Sequence, residues 1–353
     1  MTDAPTIDYA TPRPRLVADF TRAKVLGIFA LLVTVCLITA LLSPHFYGGY
    51  NLENLLRRTS VYGIISIGVA FVIITGGIDL SIGSVIALTC CLLPWLVVSA
   101  GWPAPLALAV VGGLAVCLGL FHGLYVTKVG VQPFVVTLCG LLIYRGITRG
   151  FTGDQVQGFR SGHEGLRTLA VGRIPLPGVE TFAIPVPAVI LLAVAVAAAV
   201  FLNLSVPGRH LLALGRNEQA ARFSGVRTQR LIVLAYVISA ALAGLCGVLF
   251  VLDDGSAQPS LMGNFYELWA IAAAVLGGCS LRGGEGSIFG VIVGAAVLQV
   301  LRNSITLIGI PLRLDFAFVG VVILAGATVD EVVRHVAARR RAARSAAGPT
   351  GNG

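Results

Sequence analysis

Charged side chains are scarce in this sequence. Only 12% of the 353 residues are Asp, Glu, Lys or Arg, whereas 56% are hydrophobic and the mean hydropathy is +0.90. Soluble domains carry roughly 25% charged residues. The shortage excludes an ordinary soluble domain and predicts an all-α, polytopic integral membrane protein surrounded by lipid.

Several motifs that carry chemistry are also missing. The sequence has no G-x-x-x-x-G-K-[ST] phosphate-binding loop, no H-E-x-x-H zinc motif and no C-x-x-C pair among its seven cysteines. His122 is the only histidine inside a predicted span and is interpreted as a helix-packing residue. We therefore predict no catalytic residue, no metal ligand and no cofactor bound by this chain.

Apolar runs long enough to cross a bilayer recur along the chain. Since a spanning helix needs roughly 20 apolar residues, we predict about ten spans. They are residues 25–42, 59–75, 82–99, 105–127, 132–148, 184–204, 231–251, 266–281, 287–305 and 314–330. We expect 1–24 to form a cytoplasmic tail, 25–330 the transmembrane permease domain, and 331–353 a basic, disordered cytoplasmic tail.

Basic residues set the expected orientation. The net charge is +9, and most Lys and Arg residues lie in the two tails and in short segments that would share their side of the membrane. The positive-inside rule places that side in the cytoplasm and explains the charge without nucleic acid. Both termini are therefore expected inside, with the polar segment 149–183 an ordered loop outside.

The stretch Gly76–Ser84 interrupts the apolar sequence between two uncharged runs. Adjacent glycines disfavour a helix, whereas Asp79 and Ser81 favour a helix start, so we predict a break between helices ending near Thr75 and beginning near Ser81. An ionisable residue beside such a break indicates a functional site. The alternative is that Asp79 only caps a helix at the membrane surface. Candidate substrate-pathway residues are Thr75, Gly76, Gly77, Asp79, Ser81 and Ser84.

A second glycine-rich stretch, Gly277–Ser287, resembles the first in composition and in its position between two apolar runs. Its candidate residues are Gly277, Gly278, Gly286 and Ser287. Broken helices in two parts of a chain are typical of transporters, although glycine pairs also recur by chance in a chain with 43 glycines. Either break is expected to be a re-entrant segment or the start of a full crossing.

The stretch Gly215–Val226 lies between the sixth and seventh predicted spans. Glu218–Phe223 is predicted to form a short amphipathic helix that ends at Gly225, with Ala220 and Ala221 on one side. Such a helix can pack into a groove on another protein. An ordinary basic loop is the alternative.

Together these stretches resemble the membrane permease of bacterial ATP-binding-cassette (ABC) sugar importers of the ribose, xylose and galactose type. The resemblance rests on Asn51–Asn54 and Gly68–Ser84, on Gly215–Val226, and on Ala274–Gly278 through Gly286–Ser287. It extends over nearly all of residues 25–330. Cys279 and Arg282 depart from the small or apolar residues that are more usual in the third stretch.

The resemblance implies a permease subunit of the bacterial inner membrane that moves a pentose or hexose inward. It implies a second permease copy in a homodimer or heterodimer, ABC ATPase subunits that use the ATP, and a periplasmic sugar-binding protein. Gly215–Val226 resembles the loop that docks on the ATPase, with candidate residues Gly215, Asn217, Glu218, Ala220, Ala221 and Gly225. The alternative function is branched-chain amino-acid transport within the same superfamily. Missing catalytic pairs argue against an enzyme, and broken helices argue against a passive scaffold.

Overall fold

The computed structural model describes residues 14–159 and 164–309, together with the single positions 314, 317, 320, 321, 324 and 328. The helices are α1 Pro14–Leu42, α2 Gly49–Ile74, α3 Ile82–Pro94, α4 Ala104–Leu124, α5 Pro133–Thr152, α6 Glu164–Val171, α7 Val186–Leu204, α8 Val206–Arg216, α9 Glu218–Phe223, α10 Thr228–Asp254, α11 Tyr266–Leu276 and α12 Ile288–Ile308. The strands are β1 Gln157–Gly158, β2 Arg173–Leu176, β3 Val179–Pro185 and β4 Ser256–Ala257.

Short elements complete the connections. A 3₁₀ turn at Pro44–Tyr47 joins α1 to α2, and π-helical turns extend α3 to Ser99 and α4 to Val129. β1 pairs with β4, and β2 pairs with β3, in both cases antiparallel. The polar segment 149–183 therefore contains the end of α5, a short helix and part of a hairpin in its described residues.

Within the described residues, seven helices are long and apolar enough to cross a membrane. They are Gly49–Ile74, Ile82–Ser99, Ala104–Val129, Pro133–Thr152, Val186–Leu204, Thr228–Asp254 and Ile288–Ile308. Shorter apolar helices occur at Leu26–Leu42 and Tyr266–Leu276. The all-α polytopic prediction is confirmed, but the count of ten spans is not. Most of the predicted span 314–330 lies outside the described residues, and the tail 331–353 lies entirely outside them.

Several helix bounds differ from the predicted spans for a simple reason. Hydropathy detects only the apolar part of a helix, whereas the helix itself continues into polar residues beyond the hydrocarbon core. Thus α2 begins at Gly49 rather than at residue 59, and α1 begins at Pro14 rather than at residue 25. Conversely, α11 ends at Leu276 rather than at residue 281, because glycines at 277 and 278 terminate it.

Helix α2 occupies the centre of the bundle. In the most apolar 18 residues of α2, 89% of the segment is buried inside the bundle. The corresponding buried share is 22% for α4 and 28% for both α5 and α7. α10 packs against α2, α3 and α4, while α12 packs against α1, α2 and α11. The outward faces of α4, α5 and α7 are consequently exposed apolar surfaces of the bundle.

The two ends of α2 contact different parts of the chain. Near its start, the Glu53 carboxylate accepts a hydrogen bond of 2.8 Å from the backbone N–H of Ala183 and lies 3.2 Å from the Arg173 guanidinium. At its end, the Ile74 carbonyl accepts a 2.9 Å hydrogen bond from the N–H of Gly284. A helix of this length is roughly 39 Å long. The β2–β3 hairpin and the break after α11 therefore lie at opposite ends of α2.

This arrangement predicts the labelling of two engineered cysteines. Thr168 in α6 is exposed on the hairpin side, and Gln219 in α9 is exposed on the other side. Cys36, Cys117 and Cys139, the cysteines that are not buried, are first replaced by alanine. With a membrane-impermeant thiol reagent, Thr168→Cys should react in intact spheroplasts and Gln219→Cys only after lysis. Reaction of both from one side would contradict the fold, whereas the exact reverse would invert only its orientation.

Candidate functional site

The first break begins with a specific helix ending. The N–H of Gly76 donates to the Ile73 carbonyl at 2.8 Å, and the N–H of Gly77 donates to the Val72 carbonyl at 3.1 Å. Gly76 has φ +81°, a left-handed conformation that glycine adopts without steric cost. These are the two bonds of a Schellman motif, which pairs carbonyls that the helix end leaves free. The adjacent glycines therefore stop α2 and turn the chain back.

The chain then re-enters the bundle and places Asp79 in its interior. Asp79 is 1% exposed. Its Oδ1 accepts from the backbone N–H of Ser81 at 3.0 Å and from the Ser81 hydroxyl at 2.6 Å, and its Oδ2 accepts from the Ser239 hydroxyl of α10 at 2.9 Å. Ser81 is the N-cap of α3. Asp79 thus holds the turn that leads into α3 and ties it to α10, with its side chain buried.

His122 and Tyr144 extend this arrangement. Ser81 Oγ lies 3.4 Å from His122 Nδ1, and His122 Nε2 lies 2.8 Å from the Tyr144 hydroxyl. With the proton on Nδ1, Tyr144 donates to His122, His122 donates to Ser81, and Ser81 donates to Asp79. We call Asp79, Ser81, His122, Tyr144 and Ser239 the polar cluster. It joins the break to α4, α5 and α10, and each of its five residues makes at least one hydrogen bond within the cluster.

The backbone of the break is paired as well. The Ile78 carbonyl accepts from the Thr137 hydroxyl of α5 at 3.2 Å and from the Tyr236 hydroxyl of α10 at 3.4 Å. Unpaired carbonyls at membrane depth cost several kcal/mol in lipid, so irregular backbone persists only where protein or water supplies partners. Here side chains of α5 and α10 supply them.

The second break begins with the same helix ending. The N–H of Gly278 donates to the Val275 carbonyl at 2.9 Å, and the N–H of Cys279 donates to the Ala274 carbonyl at 2.9 Å. Gly278 has φ +94°. Ser287 caps α12 by accepting the Gly290 N–H at 3.2 Å. The structural equivalent of Gly76 is therefore Gly278, so the resemblance between the breaks is displaced by one residue from the alignment of their glycine pairs.

The same kinds of helix cap and helix ending occur in residues 206–226, which we call the α8–α9 segment. Asn217 caps α9 by accepting the Ala220 N–H at 2.9 Å, and Gly225 terminates it with φ +81°. Ala220 and Ala221 do not share a face as predicted, since Ala221 is 6% exposed and packed on its own chain while Ala220 is exposed. Phe223 is 91% exposed. The outward surface of α9 thus presents a large apolar side chain.

These separate stretches meet at one place, which we call the glycine junction: Ile74, Gly76, Gly215, Gly283 and Gly284. Beyond the hydrogen bond from Gly284 to Ile74, a Cβ atom on Gly215 would overlap the Ile74 carbonyl oxygen and the Gly284 nitrogen. A Cβ atom on Gly283 would lie 2.8 Å from the Gly215 oxygen and 2.9 Å from the Gly76 nitrogen. Three backbones therefore touch without intervening side chains.

The predicted residues divide into groups. Gly76 and Gly215 belong to the junction, and Gly286 packs beside it against the Ile74 side chain. Asp79 and Ser81 form the polar cluster deeper in the bundle, while Gly277 packs closely on the backbone of α12 at Gly290. The remaining candidates lie in or beside the ends of the helices at these three stretches: Thr75, Gly77, Ser84, Gly278, Ser287, Asn217, Glu218, Ala220, Ala221 and Gly225.

Sequence reasoning missed several of these positions. The adjacent glycines Gly283 and Gly284 were a usable signal within the second stretch. His122 was interpreted as a packing residue, although a histidine inside a span is itself a signal. Tyr144 and Ser239 gave none, because their roles arise only from the packing of α5 and α10 against the break.

Comparison with known proteins identifies relatives across most of the chain. Residues 51–327 match the family described as "Branched-chain amino acid transport system / permease component". The ribose import permease of Escherichia coli strain K12 is 38% identical over 323 residues, covering 88% of this chain and 95% of that protein. No solved structure matches this chain.

Two further relatives are named for ribose and for xylose. The ribose import permease of Bacillus subtilis strain 168 is 36% identical over 324 residues, covering 91% of this chain and 96% of that protein. The xylose transport system permease of Escherichia coli strain K12 is 29% identical over 365 residues, covering 88% and 93%. The likeness therefore extends over both breaks and the α8–α9 segment.

The polar cluster predicts a graded response at Asp79. Asp79→Asn keeps an acceptor for Ser81, whereas Asp79→Leu leaves buried donors unpaired, at about 1–3 kcal/mol for each unsatisfied group. We expect thermal unfolding of the purified protein to shift modestly for Asn and strongly downward for Leu. Ser239→Ala should be mild alone and add little to Asp79→Leu, because the two groups interact directly. Full additivity, or a Leu variant as stable as the parent, would contradict the cluster.

Proposed function

Because this chain belongs to the family of branched-chain amino acid transport system permease components, we propose that it is the membrane permease subunit of an ABC importer that carries a monosaccharide. The observation that carries the proposal is end-to-end similarity to permeases named for ribose and xylose, joined by one named for D-allose that is 31% identical over 311 residues. A pentose or hexose is the substrate class these relatives share.

Branched-chain amino acids are the alternative, since the family description names them. The named sugar permeases favour a sugar. A monosaccharide presents hydroxyl groups and no ammonium or carboxylate. Its route therefore needs hydrogen-bonding groups and no charged site that would hold the substrate tightly.

The chain is a transport subunit and not an enzyme. Its sequence has no P-loop, so a separate ATPase subunit binds and hydrolyses the ATP, and we propose that this chain itself binds no cofactor. Alternating access would follow if nucleotide binding on that partner favours one of two conformations of the permease.

We assign the ATPase contact to the α8–α9 segment. This assignment is supported by the exposed Phe223, by the exposed basic residues Arg216 and Arg222, and by the resemblance of Gly215–Val226 to a coupling loop. An aromatic side chain seated in a pocket is a common anchor of protein interfaces. The Schellman ending at Gly225 keeps α9 to a single short helix that fits a groove.

The opposite face is assigned to a periplasmic sugar-binding protein. The β2–β3 hairpin lies there, fixed to α2 through Glu53, and exposes Ile174 and half of the Arg173 side chain. A second permease copy, identical or homologous, would complete the transporter. Basic residues near the α8–α9 face favour the bacterial inner membrane with both termini in the cytoplasm.

We propose that the break at Gly76–Ser84 borders the substrate route. The hydroxyls of Thr75, Ser81 and Ser84 already donate to Val72, Asp79 and Ser81 acceptors. They retain lone pairs and can accept from sugar hydroxyls when the route opens. Asp79 acts by holding the break in shape, because its two oxygens already bind three protein donors.

Reconstituted uptake tests the function. The chain is placed in proteoliposomes with the ATPase and the binding protein from its own organism, and uptake of radiolabelled D-ribose, D-allose, D-xylose and L-leucine is measured. We expect ATP-dependent uptake of at least one sugar and none of leucine. Proteoliposomes with a non-hydrolysable ATP analogue provide the control. Leucine uptake without sugar uptake would overturn the sugar assignment.

The exposed Phe223 predicts a partner phenotype. Phe223→Ala removes the apolar anchor without touching the bundle, so binding of the ATPase should weaken at least about tenfold, or about 1.4 kcal/mol. Gln219→Ala, an exposed neighbour on the same short helix, should bind like the parent. Binding is measured by co-purification and by titration in nanodiscs. Equal affinity of the Phe223 variant and the parent would move the ATPase contact elsewhere.

A further inference from the structure

We propose that the glycine junction transmits movement of the α8–α9 segment to both helix breaks. The inference rests on the proposed function, since it takes that segment as the ATPase contact. Its physical basis is that Gly215, at the end of α8, touches the end of α2 and the loop after α11 at the same point.

The first step is the direct tie between the breaks. The 2.9 Å hydrogen bond from the Gly284 N–H to the Ile74 carbonyl joins the second break to the last residue of α2. That carbonyl lies at a helix end, where no residue of α2 itself can pair with it. Moving either break alone would leave these groups unpaired in the protein interior, which favours movement of both together.

The second step is the contact of α8 with both of these groups. Gly215 lies so close to Ile74 and Gly284 that no side chain fits at position 215, and a Cβ atom on Gly284 would lie 2.7 Å from the nitrogen of Arg216, the next residue of α8. Side chains can change rotamer and absorb a displacement, whereas backbones in contact cannot. A shift of α8 therefore displaces both partners.

The third step leads inward from the junction. Only residues 75–78 separate Ile74 from Asp79, and the carbonyl of Ile78 is held by α5 and α10. Displacement of the junction thus acts on a short segment whose far end is fixed by the polar cluster. The geometry joins the surface that contacts the ATPase to the part of the bundle assigned to the substrate route.

The test adds one methyl group at the centre of the junction. In Gly215→Ala complexes we expect ATPase binding to persist, because Phe223 and α9 are unchanged, while sugar uptake per ATP hydrolysed falls at least about tenfold. Gly146→Ala in α5 is the matched control, because the added carbon would have no atom within 4 Å apart from its chain neighbours and the backbone of its own helix. Normal coupling in Gly215→Ala would overturn the proposal.

A second measurement needs no variant. Hydrogen exchange is compared for the parent complex in nanodiscs, without nucleotide and after trapping with ATP and vanadate. Changes in residues 215–226 should be accompanied by changes in 73–78 and 280–286. Changes confined to 215–226 would overturn the proposal even if Gly215→Ala fails to fold.

The two failures are distinguishable. A parent complex that imports no sugar, yet shows linked exchange at the three segments, overturns the sugar assignment and supports the junction. A parent complex that imports sugar, but whose hydrogen exchange changes only in residues 215–226, supports the proposed function and overturns the proposed role of the glycine junction.

Discussion

The structure depends on one constraint: backbone that leaves a helix within a membrane must find hydrogen-bond partners inside the protein. The two breaks satisfy it in different ways. The first uses side chains of α5 and α10 on the Ile78 carbonyl and the buried Asp79 on Ser81. The second break pairs its own backbone, since the Ser280 N–H donates to the Glu285 carbonyl at 3.2 Å. Its Gly284 N–H donates to the Ile74 carbonyl at the end of α2.

The same helix ending serves three purposes in this chain. Schellman motifs at Gly76, Gly278 and Gly225 each combine a left-handed glycine with the two characteristic bonds. At Gly76 the motif returns the chain into the bundle, at Gly278 it starts the loop that reaches α2, and at Gly225 it limits α9 to one short helix. A local rule of backbone chemistry thus generates both the breaks and the surface segment that touches them.

Much of this was accessible from sequence, and the rest was not for physical reasons. Composition and apolar runs predicted the membrane fold, and glycine pairs located both breaks, because those signals are local. The equivalence of Gly76 with Gly278 was missed because composition does not reveal which glycine takes positive φ. The partners of Asp79 come from α4, α5 and α10, so Ser239, His122 and Tyr144 join the site only through tertiary packing. The contact between Gly215 and Gly284 likewise joins stretches far apart in sequence.

We propose that the α8–α9 segment and the two breaks form one mechanical unit. Its most direct test is a pair of structures of the complete complex, one without nucleotide and one with ATP bound. We expect the Gly284 nitrogen and the Ile74 oxygen to stay within hydrogen-bond distance, about 3.2 Å or less, in both states. Gly215 should stay in contact with both groups while all three move together relative to the Asp254 end of α10. Separation of Gly215 from an unmoved pair of breaks would contradict the account.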